Sequence, residues 1–263
     1  MRLRFSRRAA VVSTAALALL GAAAVPAMAM NAGKPGRSPK PTVVLIHGAW
    51  ADSSSWAPVM HRLRHDGYPV RAIANPLQGL TSDTAYVTSY LDTIDGPKVL
   101  VGHSYGGAII TNAATAVPDV KSLVYIAGFI PAKGETIGEL AAKSTPALPL
   151  ISTPVPGGTE VVIDPAKFRD VFAGDVDKTT AADLAATQRP ANTDAVTDAS
   201  AVEGFRTIPS WALVTRQDHA INPDLQRFMT ARANARTTEV DASHAVLLSR
   251  PDAVTRVIEQ AAR

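Results

Sequence analysis

KVLVGHSYGGAIITNAA, Lys98 to Ala114, is the stretch on which the fold reading turns. Its apolar run Val99 to Val101 reads as a buried strand, and it leads directly into Gly102-His103-Ser104-Tyr105-Gly106, a G-x-S-x-G, followed by a helical segment. That order is the one a nucleophile elbow needs: the serine is carried on a strained strand-to-helix turn, and the flanking glycines leave room for the tight backbone. The helix N-terminus then brings backbone N–H groups beside Ser104, where they can hold an oxyanion that develops when the serine attacks a carbonyl. Five residues alone also fit a plain Gly-rich turn. The strand before, the helix after and a second glycine at Gly107 favour the elbow.

Outward from it, short apolar runs alternate with segments of helical period. The runs are Val43 to Ile46, Val70 to Ile73, Val99 to Val101, Leu123 to Ile126, Trp211 to Val214 and Thr237 to Val240. Most are continuous, as in strands covered on both faces. Trp56, Val59, Met60 and Leu63 mark a helix capped by Ser55 and stopped by Gly67; Tyr86, Val87, Tyr90, Leu91 and Ile94 mark a second, closed by Gly96 and Pro97. Leu225, Phe228 and Met229 mark another, opened by Asn222 and Pro223, and Val254, Val257, Ile258 and Ala261 a last, opened by Pro251. Right-handed crossovers then give an α/β fold, a doubly wound, mostly parallel sheet of about six strands. From Pro131 to Thr207 the alternation lapses into a Pro-rich loop, TPALPLISTPVPGG, and short helical patterns around Phe168, Val171, Phe172 and Leu184. An insertion of that size reads as a helical cap over the functional edge.

The first 29 residues are expected to be a secretory signal. They hold four arginines and no acid, an apolar stretch from Ala9 to Val25, and the small-x-small triplet Ala27-Met28-Ala29. The stretch is too short and alanine-rich for a good membrane anchor, which needs roughly 18 or more strongly apolar residues. Ser6 to Val11, SRRAAV, resembles the start of a twin-arginine signal. Residues 30–41 read as a flexible lead-in, and 42–263 as one catalytic domain. Without the four signal arginines the formal charge of +3 becomes −1. The remaining charges are interspersed, which gives nucleic-acid binding little support. The absence of cysteine excludes disulfides and thiolate metal sites. Neither H-E-x-x-H nor a phosphate-cradling loop is present, so no metal or organic cofactor is called for.

The first strand ends in His47-Gly48-Ala49-Trp50. The glycine lets that loop approach the serine, so Ala49 N–H and Tyr105 N–H are the expected oxyanion donors. Ser53 to Ser55 are expected to cap the following helix. A serine needs a base, and six histidines are available. His47 reads as structural, His61 and His65 as solvated, and His103 as a support of the turn. His244 follows the last strand, so it emerges at the same sheet edge as Ser104. The acid must lie between them in the chain and leave a strand at that edge. Asp218, after SWALVTRQ, does so; Asp224, beyond a helix start, and Asp241, close to His244, are the weaker alternatives. Asp218 and His219 adjoin, but neighbours on an extended segment point to opposite sides, which leaves His219 to the pocket rim or to no role at all.

At HGAW, GHSYGG, QDHAINP and SHAVLLSRP the chain resembles the α/β-hydrolase superfamily, and within it the small esterase and hydroxynitrile-lyase group, over nearly all of Thr42 to Arg263. HGAWADSSSW and TQRP, Thr187 to Pro190, are similar to bacterial members described only as α/β-fold hydrolases. The resemblance implies strand order 4-3-5-6-7-8 without the first two strands, a Ser104-Asp218-His244 triad, and an oxyanion hole at Ala49 and Tyr105. Plant hydroxynitrile lyases of that group carry a lysine after the triad histidine; here the residue is Ala245, which favours ester chemistry. The expectation is a secreted serine hydrolase acting on a small-molecule carboxylic ester, with Phe168, Val171 and Phe172 shaping its pocket. The alternatives are perhydrolysis, lactone opening or a lyase step on the same triad, or a non-catalytic binding protein on the same fold.

Overall fold

The computed structural model describes residues 39–263. The expected signal segment and most of the lead-in lie outside the described residues. In chain order, β1 (Thr42–Ile46), α1 (Ala57–His65), β2 (Val70–Ile73), α2 (Leu80–Leu91), β3 (Lys98–His103), α3 (Tyr105–Ala113) and β4 (Val120–Ile126) form the first half. An insertion follows: α4 (Ile137–Ala141), β5 (Leu150–Val155), β6 (Gly158–Ile163), α5 (Pro165–Phe172), α6 (Lys178–Ala186), β7 (Ala191–Asn192) and α7 (Asp194–Thr197). The main fold resumes with β8 (Ser210–Thr215), α8 (Pro223–Arg232), β9 (Arg236–Val240), α9 (Val246–Ser249) and α10 (Pro251–Ala261).

Six strands form one sheet in the order β2-β1-β3-β4-β8-β9, every neighbouring pair parallel. This is the order 4-3-5-6-7-8 that the resemblance implies. Alternate side chains enter opposite layers. Val44, Ile46 and Leu100 pack with Val87 and Leu91 of α2 and Ile109 of α3, whereas Val43, Leu45, Val99 and Val101 pack with Val59 of α1 and Val254 and Ile258 of α10. Burial on both faces is why these strands read as unbroken apolar runs. The edge strand β9 differs: of its five residues only Val240 is buried.

Pairing of Ile46 with Gly102, His103 with Ile126 and Thr215 with Val240 brings the ends of β1, β3, β4, β8 and β9 to one edge. Winding reverses between β1 and β3, so their following loops diverge and leave a crevice, the usual ligand position in an open parallel sheet.

Four local expectations are corrected. Ser53–Trp56 forms a 3-10 turn capped by Asp52, whose side chain accepts from Ser54 N–H, so the serine run does not cap α1. Tyr86, Tyr90 and Phe228 face solvent, and the buried stripes run through Leu80, Val87 and Leu91 in α2 and Leu225 and Met229 in α8. The segment read as a Pro-rich loop is a hairpin: β5 pairs antiparallel with β6 across Pro156-Gly157, and β7 extends the sheet. Pro154 is tolerated because β5 is an edge strand, where a missing N–H breaks no ladder bond. The cap is therefore a three-stranded sheet with four short helices.

Candidate active site

The turn after β3 places Ser104 at φ 53° and ψ −122°, a conformation that L-residues avoid. It is held there by three backbone bonds: Ser104 N–H donates to Ile126 O, and Ser104 O accepts from Gly107 N–H at 2.9 Å and Phe129 N–H at 3.0 Å. Close approach explains two glycines. A Cβ on Gly106 would come within 2.4 Å of Ile46 O, and one on Gly48 within 2.7 Å of Ser104 Cβ. Gly48 thereby brings the β1 loop against the serine. Ala49 and Tyr105 both line the cavity at Ser104, and among the described residues neither backbone N–H has an intramolecular acceptor. Behind the elbow, Tyr105 Oη donates to Asp83 Oδ2 at 2.8 Å, and burial raises the pKa of both groups.

His244 and Asp218 meet where the β8 and β9 loops rise. His244 Nδ1 lies 2.7 Å from Asp218 Oδ2, with both side chains fully buried. Asp218 accepts five hydrogen bonds: Oδ1 from Ala220 and Ile221 N–H at 2.8 Å each, and Oδ2 from His244, Thr215 Oγ1 at 2.8 Å and Gln226 Nε2 at 2.9 Å. Gln226 also donates to Ile221 O and accepts from Thr215 N–H, closing a buried cage. Sequence reasoning missed Thr215 and Gln226; the available signal was a glutamine inside the Leu225–Met229 stripe of α8. His244 Nε2 is buried without a hydrogen-bond partner among the described residues. In free enzymes the bond from such a nitrogen to a serine commonly forms only when substrate closes the site.

Asp224 and Asp241 are engaged elsewhere, with Arg227 and Arg216 respectively. His219 is exposed and its ring N–H donates to Asp170 O at 3.0 Å; it ties the β8 loop to α5 and does not line the cavity. His103 donates from Nε2 to His244 O at 3.0 Å, and burial lowers its pKa to about 3. It is therefore a neutral prop beneath the His244 loop. His47 is likewise structural: Nε2 accepts from Asn75 N–H, Nδ1 lies 2.8 Å from Gly48 O, and burial lowers its pKa to about 4.

The cavity at Ser104 measures about 340 Å³ and is lined largely by apolar groups, including Trp50, Phe129, Ile137, Leu148, Val161 and Ile221. No charged side chain lines it. Phe168 and Phe172 line a separate chamber of about 230 Å³ on the far side of Trp50, and Val171 lines neither. A hollow of about 650 Å³ lies at the β2 edge beside Arg71, Tyr86 and Tyr90, and includes none of these site residues. Among the described residues no group of three or more His, Asp or Glu side chains is placed to hold a metal, and no helix is long and apolar enough to cross a membrane.

The chain is similar to the carbendazim hydrolyzing esterase of Nocardioides sp. (strain SG-4G), 32% identical over 129 residues, which are 44% of this chain and 52% of that protein. It thus spans about half the length of that relative. Among solved structures, polyneuridine aldehyde esterase superposes with a TM-score of 0.73 at 16% identity, covering 84% of this chain and 98% of the other. An extracellular alpha/beta-hydrolase from a Paenibacillus species gives 0.71 at 22%, covering 85% and 99%. A pyrethroid hydrolase from Sphingobium faniae JZ-2 gives 0.69 at 22%, covering 84% and 97%. At these identities the structural likeness is one of fold. The sequence profile of the alpha/beta hydrolase family matches residues 43–257, and to that family the chain belongs.

Proposed function

We propose that the protein is a secreted serine hydrolase that cleaves carboxylic esters of small, apolar molecules. The observation that carries the reading is the buried His244–Asp218 pair, 2.7 Å apart, at the same sheet edge as a serine held at positive φ. Ser104 Oγ attacks the ester carbonyl while His244 Nε2 takes its proton, and Asp218 holds the imidazole in the tautomer with Nδ1 protonated. Ala49 and Tyr105 N–H receive the oxyanion. Collapse of the tetrahedral intermediate expels the alcohol, protonated by His244, and leaves Ser104 acylated. Water, deprotonated by His244, then adds to the acyl carbon, and a second collapse releases the acid and restores Ser104.

The uncharged cavity supports a neutral acyl half, since an isolated charge there would lose its hydration without a partner. The name of the Nocardioides relative, an esterase, supports the same chemistry. Cyanohydrin cleavage has less support: the position after His244 is Ala245, whose side chain carries no charge and whose N–H donates to Phe172 O. Secretion is supported by the composition of residues 1–29.

The test is a series of 4-nitrophenyl esters of increasing acyl length, given to wild type and Ser104→Ala. Wild type is expected to release nitrophenolate and Ser104→Ala to lose at least about a thousandfold. No turnover of any ester by wild type, or equal turnover by the variant, refutes the reading.

A further inference from the structure

Trp50 stands between two chambers. One, about 340 Å³, contains Ser104, Ala49 and Tyr105. The other, about 230 Å³, has an apolar wall of Phe168, Phe172, Leu184 and Leu248 and a polar side with Asp52, Ser54 and Thr180, and contains none of those three. Trp50 is a wall of both. Its backbone is at φ 61°, a left-handed conformation that a bulky residue rarely adopts and that persists only where the surroundings over-determine it. Three contacts do so here. The indole Nε1–H donates to Val161 O of β6 at 3.0 Å, the ring meets Phe172 edge-on at 6.5 Å, and Trp50 O accepts from Arg189 N–H. All three partners belong to the cap. Gln188, beside Arg189, fixes that side of the partition by bonding both N–H and C=O of Ile163 at the end of β6. The TQRP segment is thus the clasp that seats the cap on Trp50.

The division bears on which part of an ester goes where. The two N–H groups that would receive the carbonyl oxygen, at Ala49 and Tyr105, line the first chamber, so the carbonyl carbon and the acyl group beyond it belong there. The leaving alcohol must collect its proton from His244, which lines neither chamber.

We propose that Trp50 is a specificity-determining residue that limits acyl length by closing the Ser104 chamber against the apolar wall of the second chamber. The inference rests on the ester-hydrolase reading. With the indole in place, an acyl chain in the first chamber cannot reach Phe168, Phe172 and Leu184. With the indole removed, the two chambers join, and each further methylene exchanges water for Phe168, Phe172 and Leu184.

The experiment compares kcat and KM of wild type, Trp50→Ala, Trp50→Phe and the double variant Trp50→Ala/Leu184→Trp on 4-nitrophenyl esters from acetyl to decanoyl. Trp50→Ala is expected to move the optimum to longer chains, gaining relative to wild type roughly fourfold in kcat/KM per added methylene, mostly through KM. Trp50→Phe keeps an aromatic partition without the bond to Val161 and keeps the wild-type profile. Leu184→Trp refills the second chamber and returns the double variant to the short-chain profile. If Trp50→Ala does not fold, Trp50→Leu, which still packs on Phe172 but is shorter than the indole, carries the same expectation. An equal fall at every chain length, or a double variant that keeps the long-chain optimum, overturns the inference while leaving the hydrolase reading intact. A wild type that turns over no ester overturns both.

Discussion

Asp218→Asn isolates the acid of the proposed triad, and its cost can be worked from the donors around it. All five hydrogen bonds to Asp218 are donated to it, so the amide NH2 of an asparagine must face a donor whichever way it is turned. Placed at the Oδ1 position, the NH2 opposes Ala220 and Ile221 N–H, two backbone donors that cannot turn away; each left unpaired costs about 1–3 kcal/mol. Placed at the Oδ2 position, it meets groups that can adapt. The Thr215 hydroxyl has Gln226 Oε1 as an alternative acceptor at 3.4 Å, Gln226 Nε2 keeps Ile221 O, and His244 Nδ1 can accept if the ring proton moves to Nε2. The second arrangement is the cheaper, and it produces the tautomer that cannot take a proton from Ser104. Restoring the productive tautomer means reverting to the first arrangement, at about 2–6 kcal/mol for the two stranded donors. Loss of the charge that stabilises the imidazolium adds to this, so the expected fall in kcat is toward about ten-thousandfold, equivalent to about 5.4 kcal/mol. The assay is nitrophenyl-ester turnover beside thermal unfolding, with His219→Ala as the neighbour control. That control removes a bond to Asp170 O on the far side of the loop and should cost less than about threefold. A fall of under tenfold for Asp218→Asn in a folded protein, or an equal fall for His219→Ala, would refute the assignment.

Two further outcomes are expected. Burial holds His47 and His103 neutral in the folded protein, at about 4 and about 3, against about 6.5 in the unfolded chain. The unfolded state binds the extra protons, so the stabilisation is complete above about pH 6.5 and is lost as pH falls to about 4 for His47 and about 3 for His103. Asp83, raised by burial, acts in the opposite sense, its contribution fading as pH rises. Denaturant titrations between pH 7 and pH 5 should show stability falling with acid, and His103→Gln should flatten that slope; a wild-type slope near zero would contradict it. The export reading predicts that protein recovered from the medium begins at Met30, which intact-mass measurement checks; a chain in the medium that retains Met1 to Ala29 would count against it.

The main sheet was legible because physics repeats there: strands buried on both faces become continuous apolar runs, and the glycines of the elbow are needed where carbonyl oxygens such as Ile46 O leave no space for a Cβ. The chain order of the candidate residues was legible for a related reason: Ser104 directly follows β3, and Asp218 and His244 sit in the loops three and four residues beyond the ends of β8 and β9, at the same edge. Where one face of an element meets solvent, the signal fades. Tyr86, Tyr90 and Phe228 continue an apolar pattern yet lie outside, and β5 is exposed along most of its length and so carries no period to read.

The least legible contacts are those that join the cap to the site. The loop after β1 gives Trp50 Nε1–H to Val161 O, the loop after β8 gives His219 Nδ1–H to Asp170 O, and the loop after β9 gives Ala245 N–H to Phe172 O. In each case the acceptor is a backbone carbonyl, which any residue supplies, and the partners are from 49 to 111 positions apart. No residue type marks such a bond in the sequence. Its effect is nonetheless specific, because the three loops tied down are those bearing Ala49, Asp218 and His244. The cap therefore does more than roof the cavity. A substitution in α5 or β6 that moves one of these carbonyls displaces the proposed oxyanion donor, acid or base, and about 1 Å of such displacement is expected to cost a hundredfold in rate.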